Sequence, residues 1–387
     1  MNHERFLDEL SEIQRGGRWR QLREAPCAGG RFELDGRPCL NFSSNDYLNF
    51  SMDPDLAEAA VEAARRYGCG AGASRLMSGN LPIHAALEAA VARITGHEAA
   101  LLFPSGYQCN VAVISALAGK EDLILSDALN HASLIDGARL SRAEVRVYSH
   151  ADAEHLERRL REPGRFRRRI IVTESVFSMD GDTAPLQRLE RLAREHDALL
   201  VVDEAHALGV FGRGGGLARE VNVLPDVTLG TLSKSAGAAG GFAATSAIAR
   251  DLLINKARPF IFSTALSPLL AAAALEGLRK MEQHPDLGPQ LLSRAQHFLD
   301  ALQRNGVEAA PSNTQIIPYF VGDNEASVAL AQALREEGLL ATGIRPPTVA
   351  EGTARIRFSI TLAHGKTELE AAAETVARCV AQAGLPA

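Results

Sequence analysis

The chain has 387 residues, with 41 Lys+Arg against 47 Asp+Glu and a formal net charge of −6. At roughly 150 residues per domain this length predicts two to three domains with ample core, and the acidic balance argues against nonspecific binding to nucleic acid or to an anionic membrane. A hydrophobic content of 46% with 23% charged residues excludes a disordered or fibrous chain.

In chain order, Phe6, Leu7, Leu10 and Ile13 share one helical face, which predicts an amphipathic helix over 4–15. A strand pair follows, Arg31–Leu34 and Pro38–Phe42, turning at Asp35-Gly36. From about residue 54, helical patterns such as Leu56–Tyr67 and Pro185–His196 alternate with short apolar runs. The runs are Ala99–Phe103, Leu123–Leu125, Val145–Tyr148, Ile170–Thr173, Leu199–Val202 and Val227–Leu229. Nearly continuous apolar character fits parallel strands buried on both faces, linked in βαβ units. After about residue 285 the pattern changes. Helical segments at Pro289–Asn305, Glu325–Glu337 and Lys366–Ala383 surround short strands near Thr314–Phe320 and Arg355–Ser359. The expected organisation is an N-terminal segment (1–50), a large α/β domain with a mostly parallel sheet (51–285) and a small α+β domain (286–387).

Five cysteines, at 27, 39, 69, 109 and 379, form no CxxC pair. That disfavours a disulfide framework or a cysteine-based zinc site and fits a reducing compartment. The N-terminal residues carry charge and no apolar signal core. The most apolar stretch, Pro259–Leu278, contains Ser263, Thr264, Ser267, two prolines and Glu276 and makes a poor membrane span. A soluble, cytoplasmic, metal-free protein is expected. Asp203-Glu204-Ala205-His206 spells a helicase-like box, but no phosphate-cradling GxxxxGK[ST] loop accompanies it. Gly68-Cys69-Gly70-Ala71-Gly72-Ala73 imitates a dinucleotide fingerprint but follows a helical pattern instead of a strand. Neither HExxH nor GxSxG occurs.

Four features at the ends of four strands share one chemical logic. Lys234 lies among small and hydroxyl residues, Thr231-Leu232-Ser233-Lys234-Ser235-Ala236-Gly237, directly after an apolar run. A partly desolvated amine there loses its proton and can attack a carbonyl, and the hydroxyls of Thr231 and Ser233 suit a phosphate. Asp203 follows the run Leu199–Val202, with His206 three residues on. A carboxylate at a strand's carboxyl end can keep a pyridinium nitrogen protonated. Ser105-Gly106-Tyr107-Gln108 joins a strand to a helix beginning near Asn110 and offers backbone N–H groups to a phosphate. His131, in Asn130-His131-Ala132-Ser133, could stack on a planar ring. Taken singly, each has a plainer reading: a turn lysine, a capping aspartate, an ordinary turn, a structural histidine.

These segments, with Asn41–Leu48, Ser74–Asn80, Thr173–Asp182 and Ile344-Arg345-Pro346-Pro347-Thr348-Val349, make the chain resemble the α-oxoamine synthases. Those are fold-type I enzymes dependent on pyridoxal 5'-phosphate, and the likeness runs from about residue 20 to 380. The resemblance implies that Lys234 forms the Schiff base with the cofactor and moves the substrate Cα proton. It implies that Asp203 pairs with the ring nitrogen, His131 stacks on the ring and contacts substrate, and His206 contacts the phenolic oxygen. Gly106, Tyr107, Ser178, Thr231 and Ser233 would surround the cofactor, and Thr264 would reach the phosphate of the neighbouring subunit in a homodimer. Asn45 and Arg357 would hold the amino-acid carboxylate, and Arg20 and Thr348 would contact substrate, with Arg345 a candidate for the far end of the acyl chain.

The Ile344–Val349 segment points to the member that condenses L-alanine with a pimeloyl thioester in biotin biosynthesis, the acyl group carried on coenzyme A or an acyl-carrier protein. A sister synthase taking glycine or serine, and a non-catalytic subunit of the same fold, are the alternatives. The run Arg158–Arg169 holds seven arginines. Its default reading is a solvated surface, with carrier-protein docking as the rival.

Overall fold

The six apolar runs are strands of one seven-stranded sheet: β1 (Ala99–Phe103), β2 (Leu123–Asp127), β3 (Glu144–Tyr148), β4 (Arg169–Glu174), β5 (Ala198–Asp203) and β6 (Val227–Thr231). The structure is a computed structural model that describes residues 3–385 except 23, 28 and 35, so Asp35 of the expected turn lies outside the described residues. A seventh strand, β7 (Gly241–Thr245), has no counterpart among the runs because its sequence is mostly small residues. The order across the sheet is β1-β7-β6-β5-β4-β2-β3, and β7 is antiparallel to both its neighbours while the other pairings are parallel.

Every residue of β1, β2, β6 and β7 is buried, which explains why these strands show no alternation. The edge strand β3 is mostly exposed and carries Glu144 and Arg146, charges that blunt pairing by another chain. Leu101, Phe103, Val113, Ile114, Ile124, Val172, Val201 and Leu229 belong to one core cluster beneath the helices. The helix expected near Asn110 begins earlier, at Gly106, and runs to Leu117. Ser105 caps it by accepting the Gln108 N–H at 3.2 Å. Asn49 sits at φ 58°, a left-handed conformation asparagine tolerates.

The chain divides into two compact units, residues 46–178 with 182–291, and residues 1–45 with 179–181 and 292–387. The first holds the seven-stranded sheet. In the second, Ala354–Ser359 lies between Ile316–Gly322 and Thr342–Ile344 in an antiparallel sheet. The N-terminal pair is Arg31–Leu34 with Arg37–Asn41, and Leu339–Leu340 adds to it in parallel. The Ser359 N–H also donates to the Phe42 carbonyl at 2.8 Å. Residues 1–45 therefore share a unit with the C-terminal residues, whereas the sequence drew a separate segment through 50. The helix Glu4–Arg15 forms as its periodicity requires, but none of its residues is buried. Among the described residues, no helix is long and apolar enough to cross a membrane.

Candidate active site

The carboxyl ends of β1, β2, β4, β5 and β6 supply Ser105–Tyr107, His131, Glu174, Asp203 with His206, and Thr231 with Lys234, and all of them line one cavity of about 270 Å³. Lys234 lies in the connection from β6 to β7. That loop is pinned by Leu232 N–H to Gly240 O at 2.9 Å and by Gly237 N–H to Lys234 O at 2.9 Å. The Thr231 and Ser233 hydroxyls donate to the same Gly240 carbonyl, at 3.0 and 3.4 Å. Gly237 has φ +66°, and a Cβ there would lie 2.6 Å from Phe50, so the loop admits only glycine at this point.

The half-buried Lys234 places Nζ 2.7 Å from Nε2 of His206. On the far side of that ring, Nδ1 is 2.6 Å from the Tyr47 hydroxyl. Asp203 is buried and accepts from Asn110 Nδ2 at 2.6 Å and from the Ala205 N–H at 2.9 Å. Asn110 also donates to Ser133 Oγ at 2.9 Å, which lies 2.8 Å from His131 Nδ1. The His131 N–H donates to Glu174 Oε1 at 2.7 Å. Burial pulls the His131 imidazole below its ordinary value, with Asp203 opposing and Lys234 reinforcing the shift. Glu174 stands opposite Asp203 in register. Burial first, and then the neighbouring Asp203 charge, pushes its carboxyl up to about 8.

These groups fit pyridoxal phosphate. A carboxylate offers about four acceptor positions, and Asp203 uses one on each oxygen, leaving capacity for a pyridinium N–H. The buried Asn110 Oδ1 meets no partner among the described residues. A Cβ on Gly106 would lie 3.1 Å from Thr231 Cβ and 3.3 Å from its Oγ1, so glycine keeps open the space between the helix start and that hydroxyl. The first N–H groups of the helix Gly106–Leu117 have no carbonyl partner within the helix, and the dipole there favours a phosphate.

Lys234, Asp203, His131, His206, Gly106, Tyr107, Thr231 and Ser233 are thus brought together as read from the sequence. Glu174, Tyr47, Asn110 and Ser133 carry no role that the sequence alone reveals. Glu174 and Tyr47 lie inside quoted motifs, but only the strand register and the fold show what they touch. Ser178 is half-buried and does not line this cavity. Thr264 lies beside a separate small recess with Arg75 and Ser263 and bridges to Ser74.

The remaining expected residues belong to the other unit. There Arg357 is buried and donates through Nη2 to Asn45 Oδ1 at 3.0 Å. Arg20, Arg345 and Thr348 line a single cavity of about 990 Å³. Arg345 donates to the Trp19 carbonyl, and burial and the nearby Arg20 lower its pKa.

The arginine run is largely engaged within the chain. Arg167 makes a bidentate pair with the buried Asp122 at 3.0 and 2.6 Å. Arg168 donates to the Leu117 carbonyl at 3.0 Å, Arg159 to Glu162 at 2.8 Å, and Arg161 pairs with Glu157. These contacts tie Arg159, Arg161, Arg167 and Arg168 to their own chain.

Residues 37–376 match the family model for aminotransferase class I and II. An 8-amino-7-oxononanoate synthase from Geobacter sulfurreducens is 45% identical over 383 residues, covering 97% of this chain and 98% of the relative. A putative 8-amino-7-oxononanoate synthase from Geobacillus kaustophilus is 44% identical, covering 97% and 96%. Among solved structures, a serine palmitoyltransferase from S. paucimobilis with a bound PLP–myriocin aldimine aligns with a TM-score of 0.91 at 28% identity, covering 99% of this chain and 98% of that one. The 8-amino-7-oxononanoate synthase of Francisella tularensis aligns with a TM-score of 0.76 at 27% identity, covering 89% and 98%.

Proposed function

The chain belongs to the class I and II aminotransferase family, and within it to the 8-amino-7-oxononanoate synthases, pyridoxal-phosphate-dependent acyltransferases of biotin biosynthesis; from that premise we propose that it condenses L-alanine with a pimeloyl thioester. The products would be 8-amino-7-oxononanoate, carbon dioxide and the free thiol carrier, coenzyme A or an acyl-carrier protein. The observation that carries the reading is the cavity in which the Lys234 amine, the His206 ring and the Asp203 carboxylate converge from the ends of adjacent strands.

When bound, pyridoxal phosphate supplies an aldehyde that condenses with amines and a ring that withdraws electrons from the amino-acid Cα. The chain's own groups divide the remaining work. Lys234 would hold the cofactor through Nζ, and the same amine would move the Cα proton. Asp203 keeps a proton on the ring nitrogen, an interaction strengthened because the carboxylate is shielded from water. His131 would pack against the bound cofactor and contact substrate, and His206 would present Nε2 to it. Gly106, Tyr107, Thr231 and Ser233 would hold the cofactor, the first two through a helix N-terminus, whereas Ser178 stands outside the cavity lining. In a homodimer, Thr264 adds to the phosphate site of the neighbouring subunit.

The Arg357 guanidinium, steadied by Asn45, grips the alanine carboxylate as a planar fork. Arg20, Arg345 and Thr348, around their shared cavity, receive the acyl chain, the arginines suiting its distal carboxylate. The test is product identification by mass spectrometry. Alanine with a pimeloyl thioester should give 8-amino-7-oxononanoate at a kcat/KM well above that of glycine or serine paired with acetyl, succinyl or palmitoyl thioesters. A higher kcat/KM for any of those pairs would assign a sister activity.

A further inference from the structure

Three side chains form an unbroken line through the interior of the sheet-bearing unit. The Tyr47 hydroxyl is 2.6 Å from His206 Nδ1, and His206 Nε2 is 2.7 Å from Lys234 Nζ. Tyr47 is fully buried and His206 nearly so. The mechanism above uses Lys234 and His206 and gives Tyr47 no part. We infer that Tyr47 is a positioning residue: its hydroxyl donates to Nδ1 of His206 and thereby fixes Nε2 as the nitrogen that carries the proton toward Lys234 and the cofactor.

A neutral imidazole has one N–H and one bare nitrogen, and the partner of one nitrogen decides the state of the other. The line permits two proton arrangements. In one, Nδ1–H donates to the phenol oxygen, bare Nε2 faces the lysine, and Lys234 must be an ammonium to complete the contact. In the other, the phenol donates to Nδ1, Nε2–H points at Lys234, and Lys234 completes the contact as a neutral amine with its lone pair engaged. A phenol is a better donor than acceptor, so Tyr47 favours the second arrangement. Only a neutral amine can attack a carbonyl, and only an Nε2–H can donate to a phenolic oxygen of the cofactor. Phenylalanine would fill the same buried space, so packing alone does not call for the hydroxyl. The other titratable groups around the cavity are His131, Glu174, Asp203 and Tyr107. They are common to the wild type and the variants below, so comparison isolates the residue-47 hydroxyl.

The experiment uses the full-length holoenzyme with ¹⁵N-labelled histidine and two substitutions at one atom. In the wild type, the His206 resonances should show Nε2 protonated and Nδ1 as acceptor. In Tyr47→Phe, Nδ1 should move toward the protonated range. The midpoint of the pH-dependent visible absorbance of the bound cofactor should rise by about half to one pH unit, the size expected for one hydrogen bond. The direction follows because weaker donation from Nε2 raises the proton affinity of the group it faces. Replacing Tyr47 with 3-fluorotyrosine makes the phenol a stronger donor, and the midpoint should then fall. This second variant keeps the test decisive where Tyr47→Phe folds poorly. Unchanged His206 nitrogens, or midpoints that stay fixed or move in the same direction in both variants, would reduce Tyr47 to a packing residue.

Discussion

His150 is held by two carboxylates at once. Its Nδ1 is 2.9 Å from Asp127 Oδ1 and its Nε2 is 2.6 Å from Asp182 Oδ2. The ring meets Phe177 edge-on at 4.3 Å. Burial opposes the charge, but hydrogen bonds and attraction to both aspartates outweigh it and raise the imidazole from 6.5 to about 10. A raised pKa stabilises the folded state fully below the unfolded value, and that contribution disappears as pH climbs through the folded value. The interval from 6.5 to about 10 sets a ceiling of about 5 kcal/mol. His150 is 23% exposed and Asp182 41%, so solvent screening reduces the expected contribution to roughly 2–3 kcal/mol. Equilibrium urea unfolding of the wild type and His150→Gln, followed by far-UV circular dichroism from pH 5.5 to 10, measures it. The stability gap should be level below pH 6.5, then narrow by up to ~1.4 kcal/mol per pH unit. A gap that ignores pH, or widens as pH rises, would refute the argument.

Removing the amine in Lys234→Ala should abolish the visible absorbance of the lysine-linked cofactor and lower turnover by several orders of magnitude; near-normal turnover would displace Lys234 from its role. Arg357→Lys should raise the apparent KM for alanine by about tenfold or more, because a point charge replaces a fork, and leave the acyl-thioester KM almost unchanged; the reverse ranking would move Arg357 to the acyl site. Arg167→Glu should lower the urea midpoint clearly, since it sets a carboxylate against the buried Asp122 that Arg167 now pairs. The exposed Arg165, reversed to Glu, should leave that midpoint nearly unchanged, and equal effects would mean the Asp122 pair does not matter.

The central sheet was legible because burial on both faces imposes short apolar runs, and six strands declare themselves that way. β7 escaped because Gly241-Phe242-Ala243-Ala244-Thr245 carries little hydrophobic bulk: Gly241 lies where a Cβ would come within 2.4 Å of Ser105, so close packing there demands a small residue. The pairing of Arg37–Asn41 with Leu339–Leu340 links positions about 300 residues apart, and no local signal encodes it. Lys234, Asp203 and Gly106 stand out in the sequence because each is unusual in its immediate surroundings. Glu174 and Tyr47 do not. Their significance depends on a partner elsewhere, the His131 N–H for one and His206 Nδ1 for the other.

Because Glu174 and Asp203 occupy the same rung of adjoining strands, the spacing of the two acids is set by ladder bonds that also hold the core. Strand residues alternate between faces, so a slip of a single residue between β4 and β5 would turn one carboxyl away from the other. Acquisition of the correct register and assembly of the acid pair are therefore one event in the life of the chain. An error in pairing at the distant end of these strands, where Arg169 stands opposite Ala198, would yield a well-filled interior with a disabled cavity. Such a product would pass tests of compactness and fail only when asked to hold its cofactor.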